Sequence, residues 1–393
     1  MTHSSHRFTW NAHCALRDCA STAKARAHHA KVQELRAAIQ SGHAVRLVQG
    51  QPIADPNTAT KLFCQTGGST GTPKIIERSQ ASWIASFHVN ADLFDITQDA
   101  CTAVFGDLRH SLALYGVIEA AHLGADICML ADLRATTQCA QIAAQGVTHM
   151  YLTPTQLKLL MASDVTCPSV RHIIVGGGAV PDGLRSSASE TFPNAVVTQF
   201  YGASETSFIA IANASTPNGS VGALYPNVAL KFTGPNGAPQ VGHGEIWVKS
   251  PYLFDRYAQG SSADTRCADG YVTIGEIGRL DASNNLYLLG RKSRMVSIAD
   301  QNVFPEEIEA FIAQTFDPVT VAVVAQTDAL RGQTLTAIIQ GQDGQEDAIL
   351  RACRAKFGAL ASPRRVIKID TLPLLKSGKP DLITLANWLE TRQ

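Results

Sequence analysis

The chain has 393 residues, 17% of them charged and 45% hydrophobic, with 33 lysines plus arginines against 33 aspartates plus glutamates. That length allows two or three domains, and that composition suits a large buried core rather than a disordered chain. The neutral balance gives no reason to expect nucleic-acid or anionic-membrane binding, and no apolar run approaches the ~20 residues that span a bilayer.

In chain order, the segment from Met1 to Lys31 is rich in Arg, His, Ala and Ser and holds one acid, Asp18. It reads as a basic leader helix, with an organelle-targeting peptide as the alternative; Met1 to Trp10 lacks the apolar core of a secretory signal. His28 and His29 find no matching ligand cluster and are expected on a solvated helix face. Nine cysteines without a C-x-x-C pair point to free thiols in a reducing compartment, hence a cytoplasmic protein.

An apolar run, Leu62 to Cys64, leads into Gln65 to Lys74, and a helix is expected over Ser79–Leu93. Short runs rich in Val, Ile, Leu, Phe or Tyr follow at Ala100–Phe105, Ala125–Leu130, His149–Leu152, Val170–Val175 and Ala195–Phe200, with helical periods such as Leu112–His122 and Thr136–Gln145 between them. This alternation predicts parallel β-α-β units in a layered α/β domain. From Val221 to Val272, Gly and Pro clusters around Gly244–Val248 predict a β-rich subdomain. Beyond Gly290, a helix near Pro305–Phe316, strands at Val319–Val324 and Leu335–Ile339, a helix over Gln345–Phe357 and a strand at Arg365–Ile369 predict a small α+β domain. The expected division is 1–290 and 291–393.

The densest chemistry lies in Gln65 to Lys74, with three glycines, hydroxyl residues and a lysine. Glycine lets backbone N–H groups close around an anion, hydroxyls add donors, and lysine adds mobile charge. The stretch therefore reads as a triphosphate-gripping loop, distinct from G-x-x-x-x-G-K-[ST]. Gly176, Gly177 and Gly178 end an apolar run, where a flat ligand could lie on bare backbone, or where a structural turn would need them. Tyr201 to Thr206 offers an aromatic face and an acid, Glu205, suited to Mg²⁺ beside phosphates. Glu276, near Asp281 and Arg291, could accept hydrogen bonds from ribose hydroxyls. Lys379 stands on a glycine-flexible loop.

The order of these motifs resembles the adenylate-forming superfamily of acyl-CoA synthetases, aryl-acid activating enzymes and nonribosomal adenylation domains, closest in look to bacterial acyl-CoA ligases. Gln65 to Lys74 looks like its phosphate loop, Tyr201 to Thr206 like its Y-G-x-[ST]-E motif, and Gly275-Glu276 stands where the family has Gly-Asp. Gly290-Arg291 with Asn302 to Glu309 looks like the interdomain motif, and Gly378-Lys379 like the catalytic lysine motif. The likeness runs from about Leu62 to the C-terminus.

The resemblance implies that a carboxylate attacks the α-phosphate of ATP to give acyl-AMP, and that a thiol of CoA or phosphopantetheine then displaces AMP. It assigns Lys379, Glu205 and His110 as candidate catalytic residues, His110 beside the acyl group, although a helix-start histidine also suits a structural role. Thr66, Gly67, Gly68, Ser69, Thr70, Gly71 and Lys74 would hold phosphates, and Glu205 and Thr70 would hold Mg²⁺. Gly176 to Gly178, Tyr201, Gly202 and Ser204 would enclose the nucleotide, with Glu276 and Arg291 on its ribose. The small-molecule carboxylic acid, fatty or aromatic, is expected without an α-amino group, because Asp107 is poorly spaced to bind one. The alternatives are a stand-alone adenylating enzyme serving an acyl carrier protein or an amine, and a non-catalytic nucleotide-binding relative; the oligomeric state stays open.

Four departures accompany the resemblance. Only 65 residues precede Thr66, so a shortened N-terminus is expected. Glu276 replaces aspartate, carrying the carboxylate about 1.5 Å further out. The family's hinge acid or lysine falls near Lys292-Ser293-Arg294, and Ser293 is expected in its place. Ala299, Asp300 and Gln301 replace glycines in the stretch that lines the family's pantetheine tunnel.

Overall fold

The computed structural model describes residues 6–48, 51–56, 59–66, 74–178, 180, 182–298, 301–316, 319–328, 332–341, 343–374 and 380–392. Its largest sheet starts from strands whose residues are almost all buried: Asp126–Met129, Cys101–Val104, His149–Leu152 and His172–Val175, adjacent in that order and parallel. Both faces are covered, which is why these strands read as continuous apolar runs. The helices Ser111–Leu123, Ala135–Ala144 and Pro154–Met161 make the crossovers. Gly124, at φ 92°, closes the first of them, and Thr153 opens the third with a capping box to Gln156.

Val196–Ala203 adds one more parallel strand, and Ser207–Ala212 then runs antiparallel to it. The sheet thus changes sense at the turn between them, and continues antiparallel through Gly222–Leu224, Asn285–Arg291, Glu276–Leu280, His243–Lys249 and Ala229–Thr233. This is the β-rich part expected from its Gly and Pro clusters.

A second sheet has the order Arg256–Gln259, Ile75–Ser79, Lys61–Gln65, Ala44–Val48, Gln51–Asp55. The N-terminal helix runs Ala23–Gln40 and buries Val32, Leu35 and Ile39 in the core shared with this sheet and the helices Gln80–Phe94 and Ser111–Leu123. One expectation fails here. His28 is buried, not on a solvated face; its Nε2 lies 2.9 Å from Asp132 and its Nδ1 3.7 Å from Asp107. A basic helix packed against the sheet turns its polar residues inward wherever an acid from a neighbouring loop can meet them.

The C-terminal part has its own core. Thr320–Asp328 and Gly332–Gln340 pair antiparallel, and Arg365–Lys368 joins the second in parallel. Val321 and Val323 point to one face, against Ile308, Ile312 and Ile349 of the helices Pro305–Thr315 and Glu346–Ala361. Ala322 and Val324 point to the other, against Leu385 and Leu389 of Leu382–Glu390. The period-two alternation of a strand explains how one run serves both faces. Among the described residues no helix is long and apolar enough to cross a membrane, and all nine cysteines are free.

Candidate active site

The glycine-rich loop is carried by a hairpin. Lys61–Gln65 and Ile75–Ser79 pair up to Gln65 opposite Ile75, and the Thr66 N–H donates to the Lys74 carbonyl at 2.9 Å. Thr66 and Lys74 therefore stand side by side. Gly67, Gly68, Ser69, Thr70 and Gly71 lie outside the described residues. The Lys74 ammonium lies 5.6 Å from the centre of the Tyr257 ring. That tyrosine donates its hydroxyl to Glu205 at 2.7 Å and lies 2.9 Å from Thr265 Oγ1. Burial pushes the Tyr257 phenol up, so it remains a donor to the carboxylate. Lys74 and Glu205 are thereby linked through a residue that no motif contained.

Glu205 sits in the turn where the main sheet changes sense. The turn is tight: a Cβ on Gly202 would lie 1.8 Å from the Ser207 carbonyl oxygen, so only glycine fits. Ser204 Oγ lies 3.0 Å from Ser111 Oγ, and Ser111 Oγ donates to the Gln65 carbonyl at 3.3 Å. Ser111, the first residue of its helix, thus joins the Tyr201–Thr206 turn to the hairpin that carries the glycine-rich loop. Behind the turn, fully buried Arg78 donates to Ser207 Oγ at 2.8 Å and to the Tyr252 carbonyl at 2.6 Å, with its guanidinium 5.2 Å from the Trp83 ring centre. Burial lowers that guanidinium to about 10, which leaves it cationic at neutral pH.

Glu276 and Arg291 are cross-strand partners in register, with Arg291 Nη2 3.7 Å from the carboxylate. The Tyr201 hydroxyl donates to the other carboxylate oxygen. The longer side chain is therefore engaged on both sides. Gly275, at φ 75°, lets its carbonyl accept from the Lys292 N–H at 2.7 Å.

Gly177, at φ 83°, and Gly178 are exposed at the C-terminal end of His172–Val175, but the face of Gly176 is covered by the Phe200 ring. His110 precedes the helix Ser111–Leu123 and makes no side-chain capping bond. Partial desolvation, opposed by Asp107, holds its imidazole below the usual value. Asp107 itself accepts from Lys31 at 2.7 Å; burial would raise it, but the bonds from Lys31 and Arg109 hold it down to about 2. Asp107 is thus held by Lys31 and Arg109. Lys379, Ala299 and Asp300 lie outside the described residues. Pro380, next to Lys379, lines a cleft of about 800 Å³ together with Val180, Gln199, Glu276, Arg291 and Arg294.

Sequence reasoning missed Tyr257, Ser111 and Arg78. Each is an ordinary residue on a strand or helix, and its role comes from elements distant along the chain.

The AMP-binding enzyme family matches residues 10–258, and the AMP-binding enzyme C-terminal domain matches 307–379. The likeness thus begins well before Leu62. A Bacillus subtilis (strain 168) protein named uncharacterized acyl--CoA ligase YhfT is 29% identical over 330 residues, covering 83% of this chain and 68% of that protein. An indoleacetate--CoA ligase of Aromatoleum aromaticum is 28% identical over 361 residues, covering 86% and 68%. The fold is also that of ATP-bound MatB from Rhodopseudomonas palustris, with a TM-score of 0.73 at 22% identity over 86% of this chain and 70% of that one. With both parts matched in order, the chain belongs to the AMP-binding enzyme family, the adenylate-forming ligases.

Proposed function

We propose that this chain is an ATP-dependent acid–thiol ligase, which joins a carboxylic acid to AMP and then passes the acyl group to CoA. The observation that carries the reading is the cleft lined by Glu276, Arg291 and Pro380 alike, which brings the residue that follows Lys379 into one cleft with the candidate ribose residues. The names of the relatives, both CoA ligases, support CoA as acceptor.

In this reading the first step brings an anion to a polyanion, and its demand is for positive charge and positioning rather than proton transfer. Lys379 bridges the acid carboxylate and the α-phosphate. The backbone of residues 66–71 and Lys74 hold the β- and γ-phosphates, with Tyr257 keeping Lys74 near Glu205. Glu276 takes the ribose hydroxyls, oriented by Tyr201 and Arg291. Glu205, a carboxylate held by Tyr257, would suit Mg²⁺, an ion bound through one or two carboxylates together with substrate phosphates. When bound, the ion spreads the charge developing on the phosphates.

The small domain is assigned to residues 291–393 and the large one to 1–290. Lys292 Nζ reaches Glu245 at 3.2 Å and Ser293 Oγ reaches Asp264 at 3.2 Å, both across to the large part. Arg294 instead binds Glu309 at 2.8 Å and Glu306 at 3.3 Å, in the small part. The partition of contacts falls between Ser293 and Arg294, where a hinge would let the small domain present a second face for the thiol step.

Lys379→Ala tests the reading. It should lower ATP–pyrophosphate exchange by about 10²–10³ while sparing thioester formation from supplied acyl-AMP. Near-normal exchange would refute the assignment, and comparison of CoA with a phosphopantetheinylated carrier protein identifies the acceptor.

A further inference from the structure

The N-terminal arm lies along one edge of the main sheet. Leu16 pairs in parallel with Ile127 of Asp126–Met129, the strand at that edge. The Arg17 N–H donates to the Ile127 carbonyl and the Ile127 N–H to the Ala15 carbonyl, both at 2.8 Å. Asp126 accepts from the Ala15 N–H at 2.8 Å and from Arg17 Nε at 2.7 Å. The arm thus covers an edge that would otherwise offer unpaired backbone groups. Two residues beyond Arg17, the Sγ of Cys19 lies 2.8 Å from the Sγ of Cys128 on that same strand. Both cysteines are buried, at 2% and 0% exposure, in the core that also holds Cys101, Ala103 and Leu130. Disulfide sulfurs lie about 2.05 Å apart, so a small side-chain adjustment joins these two. Cys139 and Cys167 also interact with each other, but each of those thiols donates to a backbone carbonyl, Cys139 to Leu160 at 3.4 Å and Cys167 to Cys139 at 3.6 Å.

We propose that Cys19 and Cys128 are a reversible redox pair, oxidised by hydroperoxide to a disulfide that fastens the N-terminal arm to the edge of the main sheet. The hydrogen bond between the thiols lowers Cys19 and raises Cys128, and burial raises Cys128 further, so Cys19 reacts first. The arm meets its strand through the single bridge at Leu16, whereas the strand is paired with Cys101–Val104 over four residues. The arm therefore opens locally at lower cost than the sheet and admits a molecule as small as peroxide. The Cys19 sulfur attacks one peroxide oxygen, the O–O bond breaks, and the other oxygen leaves as water, giving a sulfenic acid. The Cys128 sulfur then attacks Cys19 Sγ, the S–O bond breaks, and a second water leaves. The two thiol protons enter the two waters, the sulfurs together lose two electrons, and the peroxide is reduced. In a reducing compartment such a bond is transient and returns to thiols by exchange with glutathione or a dithiol. It uses neither ATP nor an acid, so it stands apart from the ligase reaction.

The test treats the full chain with hydrogen peroxide in a Cys267→Ser background, which removes the one exposed cysteine among the described residues. Remaining thiols are alkylated in denaturant, and the digest is read by mass spectrometry without reductant. A peptide joining Cys19 to Cys128 is expected, lighter by two hydrogens than its two halves and split by dithiothreitol. The thermal midpoint of the treated protein should rise by several degrees and fall back on reduction, because the bond spans 109 positions and a cross-link over so long a loop restricts the unfolded chain. Cys19→Ala should give neither the peptide nor the rise, and Cys128→Ala should leave Cys19 as a sulfenic acid that dimedone labels; if neither variant folds, the digest of the parent decides. Full alkylation of both cysteines, at a peroxide dose that oxidises free glutathione completely, overturns the pair. So does a Cys19 sulfinic acid without a cross-link, or a bond from Cys128 to Cys101 in place of Cys19. A Cys19–Cys128 bond that leaves the midpoint unmoved overturns the fastening of the arm.

Discussion

Glu276 shows how one methylene is absorbed. Its carboxylate is carried outward relative to an aspartate, and there it meets the Tyr201 hydroxyl on one side and Arg291 on the other. Neither contact is visible from a motif, because Tyr201 lies on a different strand 75 residues earlier. Glu205 is held in the same manner by Tyr257, which keeps its carboxylate pointed without neutralising it. Glu205→Gln preserves that hydrogen bond and removes the charge. If Glu205 is the Mg²⁺ ligand proposed, the Mg²⁺ concentration for half-maximal pyrophosphate release should rise by roughly tenfold or more, with little change in thermal stability. An unchanged Mg²⁺ titration would take Glu205 out of the site.

The helices Gln80–Phe94 and Ser111–Leu123 meet around one buried carboxyl. Glu119 is 1% exposed and its pKa is raised by burial to about 7. A carboxyl with a folded value above its unfolded value of 4.5 contributes stability that is complete below pH 4.5 and is lost as pH rises through about 7. Over that window the loss amounts to roughly 3 kcal/mol. His149, lowered by burial to about 4, acts in the opposite sense, gaining stability as pH rises from about 4 to its usual value near 6.5. In Glu119→Gln the histidine contribution remains and the glutamate contribution is gone. Urea unfolding at pH 5 and pH 8 should therefore show the wild type losing stability relative to the variant as pH rises; parallel curves would mean that Glu119 does not titrate in this range. The same helices were legible in the sequence to within a residue or two. The carboxyl at their centre was not, because burying Glu119 depends on Asn90 from the helix Gln80–Phe94 and Tyr151 from the strand His149–Leu152 joining Tyr115, one turn away on its own helix.

At the scale of the molecule, the segment Lys292–Arg294 forms a short 3-10 turn whose first two side chains face one part and whose third faces the other. Proline fixes φ near −65°, a value a 3-10 turn already uses. Ser293→Pro should consequently hold the present arrangement, retain most of the adenylation rate and slow the thiol step more strongly. Single-turnover measurement of the two half-reactions decides it: equal small losses in both would place the hinge elsewhere.

The α/β class, the β-rich insertion, the small C-terminal domain and the order of the motifs could all be read from the chain alone. The reason is local: a loop that wraps phosphate needs glycines and hydroxyls at adjacent positions, and a parallel strand buried on both faces is apolar throughout. The junction at Ser111, the support of Tyr257 and Arg78, the burial of His28 and the seating of Phe200 on Gly176 could not. Each depends on which strands become neighbours, as when Arg256–Gln259 crosses to pair with Ile75–Ser79 and brings Tyr257 to Glu205. Such pairings follow from minimising exposed apolar surface over the whole chain, so a residue's partner is fixed by folding and leaves no mark on its immediate neighbours in sequence.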